Sequence, residues 1–257
     1  MSDNDFLQGD DLDAYKVAPT GLCWWCGAVA DSQVEHKFKL KNLKRLSQGS
    51  EENLVWVGGE FRREIRSIKK SQHVRFRANL CASCNNARSQ PFDFAYDGFV
   101  DYLWSHGRRL HRSRHVDMKR IYGDDWSTQA LNLARYFVKQ IGCRVEHDGY
   151  PVPPEFVDFL NGANRVPSVH MVMYKDSALW ELHKGSRKSE DWIIGEGFGP
   201  MTGAVSRSKG RLVMFSGSMT VGYIGVMYRW EWHLSDADPF YVYRKARLYR
   251  RDKLPDF

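Results

Sequence analysis

Hydrophobic positions change period along this chain, and the changes divide it. Val74, Phe76, Ala78 and Leu80 alternate with Arg75, Arg77 and Asn79, the period of two that predicts a half-buried strand over residues 74–80. A second strand is expected over the apolar residues 54–57, closed by Gly58 and Gly59, and a short mixed one over 34–40, carrying His36. Residues 60–70 are highly charged and read equally as helix or as an extended insertion. The period then lengthens. Phe92, Ala95, Tyr96, Phe99 and Leu103 recur at helical spacing, with Gly107 as the expected stop. Ala130, Leu133, Ala134, Phe137, Val138 and Ile141 form a cleaner stripe, expected to stop at Gly142. A third helix is expected at Pro154–Leu160, because proline is tolerated in a first turn. From about Val166 the pattern returns to two: Tyr228, Trp230, Trp232 and Leu234 alternate with Arg229, Glu231 and His233.

Composition narrows the class. The 257 residues can bury a sizeable core, and their aromatic content sets them apart from disordered chains. A formal charge of +7 favours an anionic partner such as nucleic acid. The first residues oppose that trend, with Asp3, Asp5, Asp10, Asp11 and Asp13 forming an acidic lead-in expected to be mobile. This start is unlike a secretory signal, and no apolar run is long enough to span a bilayer, so a cytoplasmic protein is expected. Four of the five cysteines lie in two CxxC pairs, Cys23/Cys26 and Cys81/Cys84. That usage argues against a disulfide scaffold and for a metal site in a reducing compartment.

Two such pairs supply the four thiolates of a closed tetrahedral zinc site. Between them lies the dipeptide Glu35–His36, and Asn85 follows Cys84 at once. A carboxylate and an amide carbonyl are hard ligands, suited to magnesium or manganese. An imidazole beside such an ion is what phosphodiester hydrolysis needs, taking a proton from the attacking water. On a regular strand Glu35 and His36 point to opposite faces, so a bulge or strand end is required to bring both to one phosphate.

CWWCG, then Glu35–His36, then Asn53–Leu54, then CASCNNARS resembles the HNH endonucleases of the ββα-metal superfamily, in the form whose two CxxC pairs hold a structural zinc. The resemblance covers about residues 23–93. It implies that Cys23, Cys26, Cys81 and Cys84 bind zinc. It further implies that His36 is the general base, that Glu35 and Asn85 hold a catalytic Mg2+ or Mn2+, and that Arg88 contacts phosphate. Asn53 takes the place of the asparagine that ties the loop together, with Asn79 as its rival. Glutamate stands at 35 where aspartate is usual, and the segment from Asn53 to Cys81 is longer than usual.

The expected architecture is α+β: an acidic N-terminal segment at 1–19, a zinc-stapled, treble-clef-like ββα-metal core within 20–118, a helical segment at 119–165 and a β-rich domain of unassigned role at 166–257. The expected function is metal-dependent cleavage of DNA. The alternative is a non-catalytic zinc module that binds nucleic acid or a protein partner. Arg108, Arg109, Arg112 and Arg114, in the basic run 105–120, are candidates for the phosphate backbone, or else a solvated helix end. His111 and His115 are four apart, a spacing that also suits metal, though the solvated reading is preferred. Cys143 reads as a buried thiol, and Gly195, Gly197 and Gly199 as a hairpin or bulge in preference to a phosphate loop. Trp230 and Trp232 read as core, with base stacking as the lesser alternative. Oligomeric state is not encoded, and a larger assembly acting on foreign DNA has no direct sign in the sequence.

Overall fold

The chain begins with β1 (Phe6–Leu7) and a tight turn of helix, Gly9–Tyr15. After the first cysteine pair come α1 (Leu40–Leu46) and the hairpin β2 (Val55–Gly58) and β3 (Phe61–Glu64). A widened turn, Cys84–Arg88, feeds the 23-residue α2 (Gln90–Arg112). Next are β4 (His115–Asp117), α3 (Met118–Tyr122), the 22-residue α4 (Trp126–His147) and α5 (Pro154–Leu160). The remainder holds β5 (Val169–Lys175), α6 (Ser177–Ser186), β6 (Glu196–Phe198), β7 (Thr202–Ser206), β8 (Arg211–Val221), β9 (Ile224–Glu231) and β10 (Lys245–Arg250). This computed structural model describes residues 6–30, 35–46, 54–58, 61–65, 67–69, 71–186, 195–234 and 239–255.

Eight strands form one sheet in the order β1-β7-β8-β9-β5-β10-β4, with β6 also beside β8. Neighbours are antiparallel except β5 and β10, which run parallel. The edges come from far earlier in the chain: β1 pairs with β7, and β4 with β10. The acidic lead-in is therefore tied to the sheet from Phe6 onward. The alternation that predicted strands here follows burial along β8 and β9. Trp230 is core, stacked on Phe215 at 5.2 Å, with its indole N–H donated to Glu155 at 2.7 Å. Trp232 is only partly buried and lies under Lys209 and Arg211, 3.6 and 3.5 Å from its ring centre. Gly195 and Gly199 flank β6 and Gly197 lies within it; β6 pairs with β8 and forms no hairpin with β7.

α2 and α4 pack beside each other and share a hydrophobic core with the sheet. That core also takes in Cys23, Trp25, Leu80 and Cys84. A satellite core of Leu43, Leu54, Ile65, Ile68 and Val74 lies under α1 and the β2–β3 hairpin. The 60–70 segment thus contains a strand, β3, in place of a helix.

Several expectations are corrected. Residues 74–80 do not form a continuous strand: their pairing is a single bridge, His36 opposite Arg75. The backbone turns away after Phe76 because Asn79 gives its carbonyl to the Trp24 amide at 3.1 Å. Of the strand expected at 34–40, residues 35–40 likewise show only that bridge, Leu40 opens α1, and Val34 lies outside the described residues. Gly107 and Gly142 do not stop their helices. α2 runs on to Arg112 through a kink at His106 (φ −120°, ψ 19°), and α4 runs to His147. Of the two glycines, only Gly142 makes room for a neighbour. A Cβ on Gly142 would lie 2.6 Å from the Trp24 ring, while Gly107 gives its carbonyl to the Tyr223 hydroxyl at 2.6 Å. The turn expected at 48–53, and Asn53 with it, lies outside the described residues.

Candidate metal centre

The first cysteine pair sits on a tight knuckle. Leu22 bridges Val29, the Cys23 amide reaches the Ala28 carbonyl at 2.7 Å, and the Gly27 amide returns to the Cys23 carbonyl at 2.8 Å. Gly27 adopts φ +77°, a conformation that glycine takes without the steric cost of a Cβ. The second pair lies on the turn entering α2, where the Asn85 amide bonds the Cys81 carbonyl at 2.9 Å. Although 55 positions separate them, Cys26 and Cys81 bring their sulfurs to 3.5 Å. The four Sγ atoms of Cys23, Cys26, Cys81 and Cys84 all lie within 4.8 Å of one another. Zn–S bonds of about 2.3 Å in a tetrahedron put sulfurs roughly 3.8 Å apart, so this cluster fits the ion. Four thiolates leave no open coordination position, which marks a structural centre.

Neighbouring groups suit that role. The Cys84 amide, foremost among the groups around it, draws the Cys81 thiol down to about 7. Burial pushes Cys23 and Cys84 up, and coordination to a cation is what deprotonates such thiols. Arg88 donates to Cys84 Sγ at 3.2 Å and to Asn161 Oδ1 at 2.5 Å, and covers Trp25 at 4.5 Å. The guanidinium expected at a phosphate is thus engaged with the centre itself. Trp25 stacks on Phe92 and donates to Asn161 Oδ1 at 2.9 Å, locking the knuckle to α2 and α5. Buried Asn79 donates to the Cys143 carbonyl at 2.9 Å, a structural tie between the knuckle and α4. Cys143 is a buried thiol outside the cluster.

Glu35 and His36 separate as an extended backbone dictates. The Glu35 carbonyl accepts from the Phe76 amide at 3.0 Å, and the Lys37 amide donates to Val74 at 2.8 Å, so His36 faces Arg75. Glu35 turns toward α4. Its Oε1 lies 3.0 Å from Lys139 Nζ and accepts from Gln140 at 2.8 Å. Lys139 is only 1% exposed. Burial works against its charge, but Glu35 and Asp93 offset that and hold its pKa raised. The same ammonium reaches Ser89 Oγ at 3.3 Å, and Ser89 donates to the Asn85 carbonyl at 2.9 Å. Glu35 thus touches the buried lysine directly, whereas Asn85 is linked to it only through Ser89 and its own backbone carbonyl. Lys39 extends the network, 3.0 Å from Asp97 and 3.5 Å from Asp93.

His36 Nε2 and Asn85 Oδ1 are buried and without a hydrogen-bond partner among the described residues, as are Gln140 Oε1 and Asn79 Oδ1 nearby. Burial lowers the His36 pKa, with Arg75 adding to the effect and Glu35 opposing it. The Ile68 backbone also acts on the ring and favours its protonated form. An orphaned amide oxygen fits a hard-cation ligand at Asn85. At Glu35 both side-chain contacts fall on Oε1, so the fit there is partial. Asn86, in contrast, donates to the Ala82 carbonyl at 3.0 Å, as a residue tying its own helical turn would.

The basic run is also placed. Arg108, Arg109, Arg112 and Arg114 are exposed on the end of α2 and the turn after it. His111 stacks on Trp180 at 4.5 Å, whereas His115 is exposed, so the pair makes no metal site.

Sequence reasoning missed Lys139, Gln140, Ser89, Asp93 and Glu196. Lys139 and Gln140 did leave a trace, being polar residues enclosed by Val138 and Ile141 in the most apolar helix. Glu196 left none. Its carboxyl accepts from Asn42 and from the Tyr96 hydroxyl, and burial pushes it up to about 7.

Fold and cluster together define an α+β protein with a four-cysteine centre consistent with structural zinc. No described helix is long and apolar enough to cross a membrane. Compared with protein-family models, curated proteins and solved structures, the chain shows no match.

Proposed function

We propose that this chain is an HNH-type, metal-dependent endonuclease that hydrolyses DNA phosphodiester bonds. The observation that carries the reading is the pair of orphaned acceptors. His36 and Asn85 are the residues expected to take a proton and to bind a cation, and each keeps a buried acceptor without a partner. In this reading the His36 imidazole accepts the proton of the attacking water at Nε2. That role requires the tautomer in which Nε2 is unprotonated. Asn85, with Glu35, would hold a Mg2+ or Mn2+ ion, whose chemistry is to stabilise charge on the scissile phosphate and the leaving oxygen. The zinc clamp is structural and fixes Asn85 on the turn that carries Cys84. Basic side chains on α2 supply the attraction for DNA.

A second reading, a non-catalytic zinc module that binds nucleic acid or a protein partner, is favoured by the placement of residue 35, which turns toward α4 and away from the face of His36. Glu35 already faces a buried ammonium at 3.0 Å, whose charge opposes a divalent ion there.

Plasmid cleavage with magnesium or manganese separates the two. Removing one partner of a buried ion pair costs about 3–5 kcal/mol, so Glu35 is a poor test position. His36→Ala and Asn85→Ala are better. The nuclease reading expects each to lower cleavage, His36→Ala by roughly 10²- to 10⁴-fold, with the zinc content unchanged. Cleavage unaffected by His36→Ala removes that residue from the mechanism. A zinc-loaded wild type that cuts no DNA or RNA supports the second reading.

A further inference from the structure

A cavity of about 200 Å3 lies far along α2 from the cysteines, where the end of that helix meets β4, α3 and β10. It is smaller than the roughly 300–1,000 Å3 of pockets that enclose whole small molecules, and suits a single charged group. Three cationic side chains reach it from three elements: Arg109 from α2, Arg120 from α3 and Lys245 from β10. Ser113 also lines it, its hydroxyl donated to the His115 carbonyl at 2.6 Å and accepting from the His115 amide at 3.1 Å.

The one carboxylate in the lining, Asp117, is already committed. It caps α3 through the Lys119 amide at 3.1 Å and lies 3.4 Å from Arg244 and 3.7 Å from Arg120. Among the described residues neither Arg109 nor Lys245 has an ion-pair partner, although both are exposed. On α1, by contrast, Lys41 and Arg45 share Asp101 of α2. Unmatched positive charge around a concave site is the arrangement that attracts and holds an anion.

We propose that this pocket seats one backbone phosphate of a nucleic-acid strand. A strand is preferred to a free ion because the positive charge does not end at the pocket. Arg108, Arg112 and Arg114 continue it along the same exposed segment. The inference rests on the nucleic-acid partner of the reading above but not on cleavage.

The test is binding of a short fluorescent DNA duplex by the full chain, without added magnesium or manganese, over a series of salt concentrations. Arg109→Ala and Lys245→Ala are compared with Lys253→Ala, an exposed control that removes the same charge elsewhere. Each pocket variant is expected to weaken binding several-fold and to reduce the slope of log affinity against log salt by about one, with unfolding temperature unchanged. The control should leave both readouts close to wild type. Equal losses in all three variants, or none, would overturn the proposal. Inorganic phosphate is the second probe. Thermal stabilisation by phosphate that needs Arg109 and Lys245, with duplex affinity unaffected by the variants, would assign the pocket to a free ion and overturn the strand. A chain that binds duplex through these residues yet cuts nothing would leave the pocket standing while the nuclease reading fails.

Discussion

Lys139 and Glu196 place ionisable heads inside the protein, and they are stabilised differently. Lys139 is surrounded by Glu35, Asp93 and Ser89, so its charge is kept. Glu196 is hydrogen-bonded by the neutral donors Asn42 and Tyr96, with Lys39 and Asp97 acting on it in opposite directions, and its Oε2 has no partner among the described residues. Burial consequently dominates, and its pKa rises from 4.5 to about 7. A carboxyl raised in the folded state contributes fully at low pH and loses that contribution as pH climbs from 4.5 through 7. The loss is roughly 3 kcal/mol. His147 acts in the other direction. Burial, aided by Lys37, Arg77 and Arg144, lowers it to about 4, so its neutral folded form loses stability as pH falls from 6.5 toward 4. Glu196→Gln isolates the first effect. The unfolding temperature of the variant, relative to wild type, should rise from pH 5 to about pH 7 and then level off. A difference that stays constant across that range would show that Glu196 does not titrate there.

At the scale of elements, hydrophobic period was a good guide to where helices lie and a poor guide to where they end. The apolar stripe located α4, but Gly142 misled because its small size serves the Trp24 indole rather than a helix stop. That contact joins residues far apart in sequence, and no local pattern encodes it. The same holds for 74–80. Its alternation is genuine, with Val74 and Phe76 buried, yet the knuckle claims the backbone before a second strand can pair. Gly142→Ala tests this account. A mid-helix Gly→Ala change gains about 1 kcal/mol in propensity, whereas forcing a methyl into a packed contact costs about 1–3 kcal/mol. A Cβ 2.6 Å from the indole favours the second effect, so denaturant titration should show a net loss of stability. A more stable variant would mean that Trp24 does not need the space.

Across the whole molecule, the parts of the site with strong local chemistry were legible. Two CxxC pairs announce a four-sulfur centre through spacing alone, and the structure gathers those sulfurs within 4.8 Å. The companions of Glu35 were not legible, because Gln140 meets it from 105 positions away and Lys139 beside it. The sheet was legible as a β-rich C-terminal region, but its edges were not, since β1 and β4 are short and come from elsewhere in the chain. What unites the molecule is the clamp: the knuckle, the start of α2 and the Trp24 contact on α4 all depend on the same four cysteines. Zinc content, with X-ray absorption at the zinc edge, tests that dependence most directly. The account predicts one zinc ion per chain with four sulfur neighbours at about 2.3 Å. A folded chain that holds no zinc, or holds it through oxygen and nitrogen, would contradict it.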